Sequence, residues 1–210
     1  MSESINKIFI CGCGHTGSTI LARIIGYHSK IYLINYETGV FLLNRHYLKN
    51  KILKKFTKEA IKNKKKFLLE KTPRHIWHID YINQKIKKSK FILTTRNPED
   101  TIYSLYKRYG NINQAIQRYQ DDSIQTIRNM SLENSILIKH EDLILNTEKT
   151  LKKICKFLNI KSEKSMINFF QKPLKWNLNN PFSTKKDVHN DIRNLQVNSP
   201  LNKKIKKNII

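Results

Sequence analysis

A glycine-rich turn, Gly12-Cys-Gly-His-Thr-Gly-Ser-Thr19, constrains this chain more than any other segment. Before it, Lys7-Ile-Phe-Ile-Cys11 is a short apolar run; after it, Ile20, Leu21, Ile24 and Ile25 recur at helical spacing. The pattern predicts a buried strand, a tight turn and a helix. Such a turn offers free backbone N–H groups at the positive end of the helix dipole, which is the chemistry of a phosphate cradle. Ser18 and Thr19 add hydroxyls, and His15 adds a titratable ring. Gly17 is followed by Ser18 and not by lysine, so this is not the Gly-Lys-[Ser/Thr] loop of ATP- and GTP-hydrolysing proteins. The alternative is a tight glycine turn that serves packing alone.

Further strands are expected at 31–34, 67–69, 90–95 and 135–138. Helices are expected within the Lys-rich stretch 41–63, from Pro73, after the Asn97-Pro98 cap, over 111–129 and over 151–158. Strand alternating with helix predicts an α/β domain, with a mostly parallel central sheet and helices on both faces. One domain is expected over 1–210, with 171–210 less regular. Ligands on such sheets bind at the carboxyl ends of the strands. The loops after Ile10, Leu69, Leu93 and Ile138 are therefore the places to look.

Lys and Arg number 40 against 16 Asp and Glu, a net charge of +24. Lys, Ile and Asn are also what an AT-rich coding bias enriches. The charge therefore reads either as an anion-attracting field or as a solvated surface that drifted basic. No zinc finger, aromatic RNA-binding strand or base-reading helix accompanies it, so no specific nucleic acid is expected as a partner. No apolar run approaches the roughly 18 residues of a membrane span. Cys11, Cys13 and Cys155 are too few for a disulfide framework and are expected as core or loop thiols, not metal ligands. With no leader pattern in the first residues, a reducing cytoplasmic setting is expected.

Three more strand ends carry candidates. Thr95-Arg-Asn-Pro-Glu-Asp100 places Arg96 just before a helix that carries Ser104 about two turns in. Arg96 suits phosphate, or it pairs with Glu99 or Asp100. Glu70-Lys-Thr-Pro-Arg74 leaves another strand, and Glu37 follows the second; as bare sequence both read as solvated charges.

Together these segments resemble the sulfotransferases that use 3′-phosphoadenosine 5′-phosphosulfate (PAPS). That family's first loop reads Gly-x-x-Arg-Ser-Gly-Thr-Thr, and its second signature is Arg-Asp-Pro-x-Asp with a serine eight residues past the arginine. Here they are Gly12 to Thr19 and Arg96-Asn-Pro-Glu-Asp100 with Ser104. Glu70-Lys-Thr-Pro73 and Ile136-Leu-Ile-Lys-His-Glu-Asp-Leu143 resemble two further family elements. The resemblance spans residues 7–160 and implies a P-loop-like sulfotransferase fold.

It also implies roles. Gly14, His15, Thr16, Gly17, Ser18 and Thr19 would hold the 5′-phosphosulfate, and Arg96 and Ser104 the 3′-phosphate. Lys71 and His15 would sit near the transferring group, and Glu37 matches the base of the tyrosylprotein and Golgi-type members. His15 departs from the family's arginine or lysine, so donor affinity is expected to fall above neutral pH. Arg193, in a segment similar to one that closes over the donor, is a further candidate phosphate contact. No metal is implied. The reaction would move a sulfuryl group to an acceptor hydroxyl or amine of a glycan, peptide or small molecule, leaving adenosine 3′,5′-bisphosphate. The alternatives are a P-loop small-molecule kinase and a non-catalytic basic protein that binds nucleotides or polyanions. Acceptor identity and oligomeric state are not written in the sequence. If Glu37 were not the base, His75 or His78 would be the next candidates.

Overall fold

A computed structural model of the chain describes residues 5–42 and 46–169. The 171–210 segment, and with it Arg193, lies outside the described residues. Five parallel strands form one sheet in the order β2-β3-β1-β4-β5. They are β1 Asn6–Gly12, β2 Ile31–Leu33, β3 Phe67–Lys71, β4 Ser89–Thr95 and β5 Ser135–Lys139. β1 pairs with β3 through Ile10 and Lys71, and with β4 through Gly12 and Thr94. From β1 the chain passes to the edge strand β2, returns with β3 between the two, then crosses to β4 and β5 on the other side. This puts the switch in strand order beside β1, where α/β sheets open a crevice.

Period-two alternation sends neighbouring side chains to opposite faces. Ile8, Ile10, Leu69, Ile92 and Ile138 pack under α1 (Ser18–Gly26) and α7 (Thr147–Leu158). Phe9, Cys11, Phe91 and Leu93 pack on the other face against Val40, Phe41, Ile76, Ile79 and Ile82. Both faces are covered, which is why the strands read as continuous apolar runs.

The remaining helices are α2 His46–Lys62, α3 Ile79–Lys85, α4 Pro98–Tyr109, α5 Ile112–Asn129, α6 His140–Leu145 and α8 Lys164–Ile167. Two details differ from the sequence reading. Pro73 opens a six-residue 3-10 turn, Pro73–His78, before α3 begins. Glu141, Asp142 and Leu143 belong to α6 and not to the end of the fifth strand. The tight turn follows from its side chains: His75 N–H donates to Thr72 O (3.0 Å) while its ring points inward to Glu70. Among the described residues, no helix is long and apolar enough to cross a membrane.

Candidate active site

The carboxyl ends of β1, β3 and β4 bring three clusters together. The first is the turn from β1 into α1. Gly12 (φ 142°) and Gly17 (φ 81°) hold positive backbone angles, and a Cβ on them would run into Thr94 O and the His140 ring respectively. His15 also sits in the left-handed region (φ 69°), which disfavours an L-residue by roughly 1–2 kcal/mol. The Thr16 hydroxyl donates to Cys13 O and bonds Thr94 Oγ1, both at 2.7 Å, pinning the turn to β4. Its hydroxyl therefore braces the loop. α1 begins with no side-chain cap and no acidic residue in its first turn. Its leading N–H groups, which have no partners within a helix, face the crevice.

The second cluster follows β4. Asn97 caps α4 by accepting the Asp100 N–H at 3.1 Å, and Pro98 takes the first helical position. Ser104, two turns along, shares a 2.7 Å hydrogen bond with His15 Nδ1. Arg96 donates from Nη1 to His15 O at 3.5 Å and pairs through Nη2 with Asp100 at 3.3 Å. The Asp100 pairing and the contact with the turn thus coexist. Arg96 Nε is buried, and among the described residues it has no hydrogen-bond partner.

The third cluster ends β3. Glu70 and Lys71, which read as solvated charges in the bare sequence, are 1% and 0% exposed. Lys71 Nζ donates to Thr19 Oγ1 at 2.9 Å and to the Glu37 carboxylate. One ammonium therefore joins the cradle to Glu37, whose side chain is 32% exposed. Burial pushes the Lys71 pKa down, against the pull of Glu37 and Glu70. Glu70 Oε1 accepts the Thr38 N–H (3.2 Å), the Thr38 hydroxyl (2.8 Å) and the Thr72 hydroxyl (2.6 Å). Its Oε2 faces His75 Nδ1 at 3.0 Å. Because His75 Nε2 accepts the Phe41 N–H, the ring is the neutral tautomer with its proton on Nδ1. Burial raises the Glu70 pKa, but His75, Thr72 and Thr38 more than offset it, and the carboxyl stays below its ordinary value.

That geometry removes His75 as a fallback base: it is fully buried and both ring nitrogens are engaged. Gly14, His15, Gly17, Ser18 and Thr19 line the turn, Lys71 joins Thr19 to Glu37, and His15 meets Ser104 and Arg96. Thr38, Thr72 and Thr94 escaped sequence reasoning, since a threonine bracing a loop has no motif. His140 gave no signal either; its place is visible only through Gly17. Cys11, Cys13 and Cys155 are buried free thiols.

The family model described as the sulfotransferase family matches residues 36–164, well over half the chain. The chain belongs to the sulfotransferase family. The match begins after the 12–19 turn and includes Glu37, Lys71, Arg96 and Ser104. Solved structures agree in fold. The sulfotransferase domain of a Synechococcus PCC 7002 olefin synthase is 18% identical, with TM-score 0.57 over 79% of this chain and 77% of its own. A sulfotransferase from Alicyclobacillus acidocaldarius is 14% identical, with TM-score 0.60 over 74% and 81%. Mouse sulfotransferase SULT7A1, solved in complex with PAP, is 21% identical, with TM-score 0.59 over 80% and 68%. A search of curated proteins found no match. For a sulfotransferase, the three clusters sit where the switch in strand order directs a ligand, and the kinase alternative falls away.

Proposed function

We propose that this sulfotransferase moves a sulfuryl group from PAPS to an acceptor hydroxyl or amine. One observation carries the reading. His15 of the turn is hydrogen-bonded to both Arg96 and Ser104, which lie 81 and 89 residues further along the chain. Two features fit a nucleotide with phosphates at both ends. The first turn of α1 is uncapped, and the buried Arg96 Nε lacks a protein partner among the described residues.

The donor supplies the sulfuryl group and a phosphate leaving group. The N–H groups of 14–19, with the Ser18 and Thr19 hydroxyls, would hold the 5′ end. His15 adds a ring N–H there. Arg96 and Ser104 would hold the 3′-phosphate, Arg96 through charge-assisted bonds. Glu37 would accept the acceptor's proton as the acceptor oxygen or nitrogen bonds to sulfur and the S–O bond to the 5′-phosphate breaks, the electron pair leaving with adenosine 3′,5′-bisphosphate. Lys71 holds the Glu37 carboxylate in place and, through its positive charge, offsets charge growing on the leaving oxygen beside Thr19.

Thermal-shift measurements test the donor. Adenosine 3′,5′-bisphosphate should stabilise the protein well beyond ADP or AMP. At a hundredfold excess over Kd the gain is about 2.7 kcal/mol. Equal shifts from all three nucleotides would overturn the assignment.

A further inference from the structure

Between the 3-10 turn and α5 lies a cavity open to solvent, a groove of about 320 Å³ whose rim residues Arg74, Trp77, Gln114 and Gln117 are exposed. Its α5 wall is Gln114, Gln117, Arg118 and Asp121, spaced i, i+3, i+4, i+7 along one stripe. Gln114 and Gln117 are exposed and Arg118 and Asp121 half-buried, so the stripe offers amides, a guanidinium and a carboxylate to the solvent side of the groove. The opposite wall is Arg74 and Trp77, and Trp77 is 46% exposed. The floor is Asp122, 0% exposed. Trp77 Nε1–H donates to Asp122 Oδ1 at 2.7 Å, and Arg118 Nε–H donates to Oδ2 at 2.6 Å. One buried carboxylate thus fixes an indole and a guanidinium in advance, which removes most of the ordering cost of binding through them.

Its location ties it to the chemistry. Arg74 follows Lys71 by three residues, so their Cα atoms are within about 11 Å. Asp122 also acts on Cys13 of the turn, where burial first and then this carboxylate hold the thiol protonated. A flat indole face packs the C–H face of a sugar ring. The amides and Asp121 match its hydroxyls, and two guanidiniums match a carboxylate or sulfate.

We propose that this cavity is the acceptor subsite and that the acceptor is an acidic saccharide. The inference rests on the sulfotransferase reading for its role, but not for binding itself.

The test is calorimetry on the full chain without nucleotide, at about 0.15 M salt, where charges are screened beyond roughly 8 Å. The probes are an alternating glucuronate–N-acetylglucosamine tetrasaccharide and the uncharged N-acetylglucosamine tetramer. The acidic probe should bind at least tenfold more tightly than the neutral one. Trp77→Ala should weaken it at least tenfold, Trp77→Phe by less, and Arg74→Ala should erase the preference for charge. Lys54→Ala with Lys58→Ala, two exposed positions on α2, should change nothing. The proposal is overturned if neither saccharide binds, if Trp77→Ala and Trp77→Phe both bind like wild type, or if the α2 pair matters as much as Trp77. If Trp77→Ala fails to fold, Trp77→Phe and Arg74→Ala decide. Saccharide binding with no response to adenosine 3′,5′-bisphosphate would sink the donor reading and leave this site standing.

Discussion

The crevice has two unlike walls. On the β1–β4 side, backbone angles are positive at Gly12, His15 and Gly17, the first turn of α1 is uncapped, and Arg96 keeps a buried N–H without a partner among the described residues. On the β3 side, Glu70 takes three bonds on one oxygen and His75 on the other, and His75 is itself bonded to Phe41. The first wall holds donors in reserve, at a cost in strain, so that an anion can satisfy them. The second is saturated at Glu70 and His75, which leave no polar atom over for a ligand. Its work is to hold residues 38–41, and with them Glu37, against β3: Thr38 N–H lands on Glu70, Gly39 N–H on Thr72 Oγ1 and Phe41 N–H on His75.

This contrast is easiest to break where the walls meet. Glu37→Gln should lower kcat by about 10²-fold or more, and Lys71→Met should do the same, with the adenosine 3′,5′-bisphosphate thermal shift largely kept. A loss of that shift in parallel with kcat would mean that Glu37 serves the donor wall instead. Disrupting the saturated wall is the next largest effect. His75→Ala strands the Glu70 carboxylate and the Phe41 N–H, and should cost about 1–3 kcal/mol in denaturant unfolding. It should also lower kcat more than it raises the donor KM. Acid gives the same wall a signature. Glu70 titrates below its unfolded value, so its contribution is full above about pH 4.3 and disappears as pH falls through the folded pKa. Melting curves of wild type should drop across that window, and Glu70→Gln should flatten the drop.

The reserve wall should respond chiefly in affinity; Arg96→Ala alone should also cost stability, because it strands the buried Asp100 carboxylate. Arg96→Ala should weaken adenosine 3′,5′-bisphosphate by about 10- to 100-fold in calorimetry, in proportion to one or two charge-assisted bonds. Ser104→Ala should have the smallest effect, about tenfold, because it removes one hydroxyl bond to the anionic phosphate, worth about 1.5 kcal/mol, and no charge. If Ser104→Ala lost melting temperature as His75→Ala does, the two walls would not differ in kind.

The sequence alone determined the strand–turn–helix at 7–27 and the parallel sheet of five strands, because local spacing and hydrophobic period encode them, while the resemblance to the family placed four motifs in order. It also pointed to Glu37, Lys71, Arg96 and Ser104, through a family pattern whose match now includes all four. It misjudged burial: Glu70 and Lys71 read as solvated because a charged dipeptide carries no sign of the partners that satisfy it. Those partners come from three segments: Thr19 of the first turn, Thr38 after β2, and Thr72 with His75 in the turn that follows β3. The same holds for Trp77, Asp122 and the α5 stripe, which meet only once the 3-10 turn packs on α5. Period and propensity act between near neighbours along the chain. Hydrogen-bond satisfaction of a buried charge is settled between residues the sheet brings together, and only the tertiary structure decides it.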